Sequence, residues 1–127
     1  MIERKQGKII HISSNATFYG TPGSGPYAVS KAGINQLTKT MAIEWGPHNI
    51  QVNAICPSIV MTELGKSVWD DPKNAEMREK LIAKIPLGRF VELEEIIPLV
   101  LFLAGPGSNF INGAIIPIDG GARFNPI

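Results

Sequence analysis

Phe18 to Gly33, FYGTPGSGPYAVSKAG, joins a strand-like run to a helix-like run, and the fold follows from how that junction is read. Its glycines, Gly20-Thr-Pro-Gly-Ser-Gly25, can be taken for a phosphate cradle. A dinucleotide fingerprint works by turning tightly off a strand, so that backbone N–H groups and a helix N-terminus face the pyrophosphate. Here the strand ends near Ser14, leaving about a dozen residues before the helix where the fingerprint allows only a few. Pro22 and Pro26 withhold two N–H donors, and the Lys-Ser/Thr pair of a P-loop does not follow. Glu44 stands at the sequence distance of a ribose-binding acid, but late in a helix and not at a strand end. The stretch therefore predicts a connection in which Gly and Pro form turns, with Pro26 at the first helical position.

Beyond the loop, Tyr27 and Lys31 are spaced i,i+4, which stacks their side chains on one side of a helix. A phenol with an unperturbed pKa of about 10 is a poor proton donor and acceptor at neutral pH, and a nearby cation favours the phenolate. Alone, such a pair is weak evidence of chemistry, since Tyr and Lys four apart on a helix usually form only a packed, solvated contact. Ser14 adds to it by standing at the C-terminal end of the preceding strand, where open α/β sheets place their ligands.

Working outward, Lys8–Ser13 reads as a strand covered on both faces, and His11 within it as a structural histidine, since no ligand cluster accompanies it. The helix Pro26–Trp45 carries only Lys31, Lys39 and Glu44 as charges, so much of its girth is expected to be covered by its own sheet or by a partner. Ile50–Cys56 reads as a second strand stopped by Pro57, with Cys56 a small buried hydrophobe and not a nucleophile. Asp70-Asp-Pro-Lys-Asn predicts a helix start, the helix running to about Lys84. Glu92–Ala104 is the next helix, with Pro98 inside it deleting one backbone bond and Gly105-Pro106 closing it. Ala114–Ile118 is the last strand, and Pro117 favours an edge position for it. Strands alternating with helices predict an α/β unit of about three parallel strands.

With 44% hydrophobic and 18% charged residues, the 127-residue chain has ordinary globular composition, enough for one modest domain. Twelve basic against eleven acidic residues leave a formal charge of +1, which offers no electrostatic footprint for nucleic acid or an anionic membrane. A single cysteine permits no internal disulfide and fits a cytoplasmic location. Met1–Gly7 is polar, lacks a signal peptide's apolar core, and reads as a helix end entering a strand. No apolar run approaches the roughly 20 residues that span a bilayer.

Ser14, then Tyr27-x-x-x-Lys31, then VNAICPSIVMT (Val52–Thr62), IPLGRF (Ile85–Phe90) and FINGAIIPIDGG (Phe110–Gly121) resemble, in order, the catalytic half of the short-chain dehydrogenase/reductase family. The resemblance covers nearly the whole chain. It implies the second half of a Rossmann-like, doubly wound parallel sheet, forming residues 1–127 as a single truncated domain without its nucleotide-binding half. By matching position, Tyr27 is implied as proton donor to a carbonyl oxygen, Ser14 as a hydrogen-bond donor to that oxygen, and Lys31 as a cation acting on the phenol and the nicotinamide ribose. Tyr27, Lys31, Pro57, Val60 and Thr62 are implied contacts for NAD or NADP, and a small carbonyl or alcohol for substrate. No metal ligand is implied. The family has Pro-Gly where this chain has Pro57-Ser58, so a position needing positive φ would be reshaped by Ser58. Trp69 and Met77 fall in the segment that covers substrate, with packing against the body as the alternative. The glycine-rich nucleotide loop, the acid or base that selects NAD or NADP, and a catalytic Asn all precede the serine in that family, and Met1–Ser13 has no place for them.

Three functions from different classes follow: an oxidoreductase's catalytic half, active when joined to a nucleotide-binding half; a catalytically silent fragment that self-associates; and a complete miniature oxidoreductase. The strand Lys8–Ser13 is internal in the family's sheet, so one of its edges is expected to recruit a second copy of this chain or a complementary half.

Overall fold

The computed structural model describes residues 1–125. In chain order the elements are β1 (Gly7–Ile12), α1 (Gly25–Trp45), β2 (Ile50–Pro57), β3 (Val60–Met61), α2 (Glu63–Trp69), α3 (Ala75–Ile82), β4 (Val91–Glu92), α4 (Leu93–Ala104) and β5 (Ile115–Ile118). The main sheet runs β1-β2-β5, all parallel, with Gly7 opposite Ile50 at one end and Ile12 opposite Ile55 at the other. β5 is an edge strand, as Pro117 requires, and Pro117 lies opposite Cys56. A second, two-stranded patch pairs β3 with β4. Two-residue strands have no period to read, and this pairing was not legible in the sequence.

The period of β1 assigns its neighbours to opposite faces. Ile9 joins Ala42, Ile50 and Val52 in a cluster beneath α1. Ile10 joins Ile55, Ile96 and Leu103 in a cluster beneath α4. β2, covered on both sides, is buried along its whole length, whereas β1 is only half-buried and Ile12 is exposed. Among the described residues β1 pairs with β2 alone, so its other edge is unpaired.

Two asparagines attach β5 to β2. Asn53 accepts from the Ala114 N–H at 2.9 Å and donates to the Ile111 carbonyl at 2.9 Å. Asn112 accepts from the Val52 N–H at 2.8 Å and donates to the Ala42 carbonyl at 3.0 Å. These side chains satisfy backbone groups of β2, α1 and the chain entering β5, just before the β2–β5 ladder begins.

The helix expected from Asp70 to Lys84 is shorter than expected, and an unexpected helix, α2, precedes it. Thr62 caps α2 by accepting the Gly65 N–H at 3.1 Å, and Asp70 ends that helix instead of starting one. Asp71 caps a 3₁₀ turn at Pro72–Asn74, after which α3 begins and stops at Ile82. Acid and proline near a helix start were read correctly as a start signal, but they begin a single tight turn. α4 begins where expected: Glu92 and Glu95 form a reciprocal capping box.

Candidate active site

The Gly20–Gly25 segment is a turn and not a cradle. The Ser24 N–H donates to the Thr21 carbonyl at 3.1 Å across Pro22-Gly23, with Gly23 at φ 81°. Proline followed by a positive-φ glycine is the signature of a type II turn, and it delivers the chain to α1.

At 100° per residue, Tyr27, Lys31, Ile34, Thr38, Ala42 and Trp45 share the inward stripe of α1. Thr38 donates to the Ile34 carbonyl and takes a hydrogen bond with His11 Nδ1 at 2.8 Å, so His11 is a structural link between β1 and α1. One turn nearer the N-terminus, helix and strand end exchange hydrogen bonds. The Ser13 hydroxyl donates to the Lys31 carbonyl at 3.1 Å, and Lys31 Nζ donates to the Ile12 carbonyl at 3.1 Å. Lys31 Nζ is 5.8 Å from the centre of the Tyr27 ring. This double tie fixes Tyr27 just beyond the C-terminal end of β1.

Ser14 is buried there and caps the 3₁₀ turn Asn15–Thr17. Its Oγ accepts from the Ala16 N–H at 3.2 Å, which leaves the hydroxyl proton for another acceptor. The turn is braced from β2. The buried Cys56 thiol donates to Asn35 Oδ1 at 3.7 Å, Asn35 donates to Thr17 Oγ1 at 3.0 Å, and Thr17 donates to the Ser14 carbonyl at 2.9 Å. Burial pushes the Cys56 thiol pKa up, in keeping with a packing role.

Ser14 and Tyr27 line one cavity of about 770 Å³, together with Asn15, Tyr19, Ser58 and Arg123. The cavity brings two of the three expected catalytic groups to a common space, with Lys31 behind the phenol. The expected cofactor contacts are more scattered. Pro57 ends β2, Val60 packs into the cluster under α4, and Thr62 caps α2 while keeping its hydroxyl proton; none of the three lines this cavity. Ser58 does line it, and its φ is not positive, so the replacement of glycine costs no backbone strain. Trp69 packs edge-on against Phe90, ring centres 5.4 Å apart, and Met77 is exposed.

Sequence reasoning missed Asn15, Tyr19 and Arg123. Asn15 Nδ2 donates to Tyr19 Oη at 2.6 Å. Burial, then the negative charge of Asp119, raises the Tyr19 pKa. Asp119 is buried and accepts from the N–H groups of Gly121 and Arg123, with the Arg123 guanidinium 3.4 Å away. Gly120 and Gly121 have φ of 58° and 89°, and a Cβ on Gly120 would meet Ile85 at 2.8 Å, so this turn demands glycine. The Asp-Gly-Gly signal was visible, but nothing in the sequence showed that it returns Arg123 to the cavity.

A family model described as enoyl-(acyl carrier protein) reductase matches residues 1–123. The chain is 41% identical to L-xylulose reductase of Bos taurus over 115 residues, which is 91% of this chain and 46% of that protein. It superimposes with a TM-score of 0.88 and 35% identity on a gluconate 5-dehydrogenase from Burkholderia cenocepacia in complex with NADP and tartrate, covering 97% of this chain and 47% of that one. A short-chain type dehydrogenase/reductase from Mycobacterium ulcerans gives a TM-score of 0.90 at 29% identity, over 98% and 44% of the two chains. The chain thus spans about half the length of the curated relatives it matches.

Proposed function

We propose that this chain, which belongs to the short-chain dehydrogenase/reductase family, carries the proton-transferring half of an NAD(P)-dependent oxidoreductase acting on a small carbonyl or alcohol. The observation that carries this is the shared cavity at the C-terminal end of β1, where the Ser14 hydroxyl and the Tyr27 phenol are both presented. Ser14, its acceptor role taken by Ala16, donates to the substrate oxygen and fixes it. Tyr27 gives its proton to that same oxygen in reduction and takes it back in oxidation. Lys31 places its ammonium group 5.8 Å from the centre of the phenol ring, a positive charge next to the group that exchanges the proton.

The nicotinamide end of NAD or NADP fits the residues present. Lys31 Nζ spends one N–H on Ile12, leaving two for ribose hydroxyls, and Thr62 keeps an unspent hydroxyl proton. When bound, the cofactor supplies or accepts hydride at the substrate carbon. The pyrophosphate end does not fit the Gly20–Gly25 turn, which is separated from β1 by the Asn15–Thr17 turn. We therefore assign that end to a nucleotide-binding half, and the unpaired edge of β1 to its neighbour in the assembly, a complementary half or a second copy of this chain.

The test is carbonyl reduction by the chain assembled with a nucleotide-binding half. Tyr27→Phe keeps the ring and removes the proton donor, so turnover should fall by at least about 100-fold; unchanged turnover refutes the role of Tyr27. Absence of turnover in every such assembly of the unsubstituted chain favours a silent, self-associating fragment.

A further inference from the structure

The chemistry above does not use Tyr19, which lines the same cavity. Asn15 is 7% exposed and directs its amide at Tyr19 Oη, 2.6 Å away. That contact fills the acceptor side of the phenol. The Tyr19 O–H has no acceptor of its own among the described residues, and Tyr19 borders the same cavity as Ser14 and Tyr27. Asn15 follows Ser14 directly in the chain and begins the turn that Ser14 caps. The group that orients Tyr19 is therefore built on the same turn as the group assigned to the substrate oxygen. Burial and the charge of Asp119 keep the phenol protonated, and so a donor, at high pH.

We propose that Tyr19 is a specificity-determining residue whose O–H donates to an oxygen on the carbon next to the reacting carbonyl, so that the cavity takes α-hydroxycarbonyl compounds and vicinal diols in preference to plain ketones and alcohols. The proposal rests on the placement of the reacting oxygen between Ser14 and Tyr27. Its energetic basis is asymmetric. A hydroxylated substrate pairs the Tyr19 donor, whereas a plain ketone closes the cavity over a donor with no acceptor and forfeits the water that would otherwise serve it.

The sequence contains two tyrosines, Tyr19 and Tyr27, which permits a test that needs neither cofactor nor turnover. The full chain labelled with 3-fluorotyrosine gives two ¹⁹F resonances, assigned with Tyr19→Phe and Tyr27→Phe. Hydroxyacetone and acetone are then titrated separately. Hydroxyacetone should shift the Tyr19 resonance at roughly tenfold lower concentration than acetone, the weight of one neutral hydrogen bond. In Tyr19→Phe the remaining Tyr27 resonance should respond to both ketones at the same concentration. A Tyr19 resonance that ignores hydroxyacetone or answers both ketones equally overturns the proposal, as does a preference that survives in Tyr19→Phe. The role of Tyr27 is judged separately by turnover, so failure of one assignment is distinguishable from failure of the other.

Discussion

Replacing Ile43 by lysine tests whether the outer face of α1 is an association surface. Val29, Leu37 and Ile43 fall within one stripe of that helix at 100° per residue and are 72%, 50% and 79% exposed. Covering them removes about two full side chains of apolar surface from water, or roughly 3–6 kcal/mol per protomer at 1.5–3 kcal/mol each. Two such helices packed about a dyad gain roughly 6–12 kcal/mol, comparable with the cost of about 4–15 kcal/mol for association. The helix face alone is thus marginal, and pairing along the open β1 edge must add to it. Ile43 occurs twice across a dyad, so its loss removes roughly 2–5 kcal/mol and should raise the dimer Kd at least about 30-fold. Being exposed in the single chain, the site should change monomer stability by no more than about 0.5 kcal/mol. Sedimentation equilibrium through the micromolar range measures the difference. A wild-type chain that remains monomeric across that range, or a lysine variant that associates as tightly, refutes the reasoning.

Calorimetric titration of the isolated chain with NAD or NADP should show binding weaker than micromolar, because the proposed contacts, Lys31 and Thr62, address only the nicotinamide end; micromolar binding by a chain free of other polypeptides would favour the miniature enzyme. The Glu95 carboxyl is held down to about 2 by the Arg89 guanidinium at 2.6 Å and then by the Glu92 N–H. Its contribution to stability is complete above the ordinary carboxylate range and is lost as pH falls toward about 2, so urea midpoints of wild type and Glu95→Gln should differ at neutral pH and converge in acid. A constant difference down to the lowest pH would remove this ion pair from the account. Leu103 is fully buried under the sheet, and Leu103→Ala should cost about 2.7–5 kcal/mol in urea denaturation; a loss under about 1 kcal/mol would mean the cluster collapses around the gap.

The strands, the long helix and the positions of Ser14, Tyr27 and Lys31 were legible because each rests on local signals: apolar runs closed by Pro57 or Gly120, a 3.6-residue stripe, and an i,i+4 pair. What was not legible depends on contacts distant in sequence. β3 and β4 are strands only because Val60 meets Val91. Tyr19 looked like part of a loop, since its importance comes from Asn15 turning back on it and from Asp119, a hundred residues later in the chain. The Asp70–Lys84 region was misread for a different reason: Thr62 and Asp71, nine residues apart, each cap an element of their own, and the one capped by Asp71 is only a single 3₁₀ turn.

On the proposed function, the two halves of a reduction fall to different parts of the assembly. The groups proposed to handle the proton are built by β1, α1 and the turn between them, and they are held by bonds internal to this chain: Ser13 to Lys31, Lys31 to Ile12, Thr17 to Ser14. These contacts do not draw on a nucleotide-binding partner, so the proton side can be formed before the hydride side arrives. Completion of β1's open edge by a partner strand would then act at the same place, since Ile12, whose carbonyl holds Lys31, is the last residue of that strand. A partner that pairs with β1 would hold the Ile12 backbone, and through it the cation beside Tyr27. On the proposed function assembly and chemistry therefore meet at Ile12, and slowed hydrogen exchange of its amide on assembly would report the pairing.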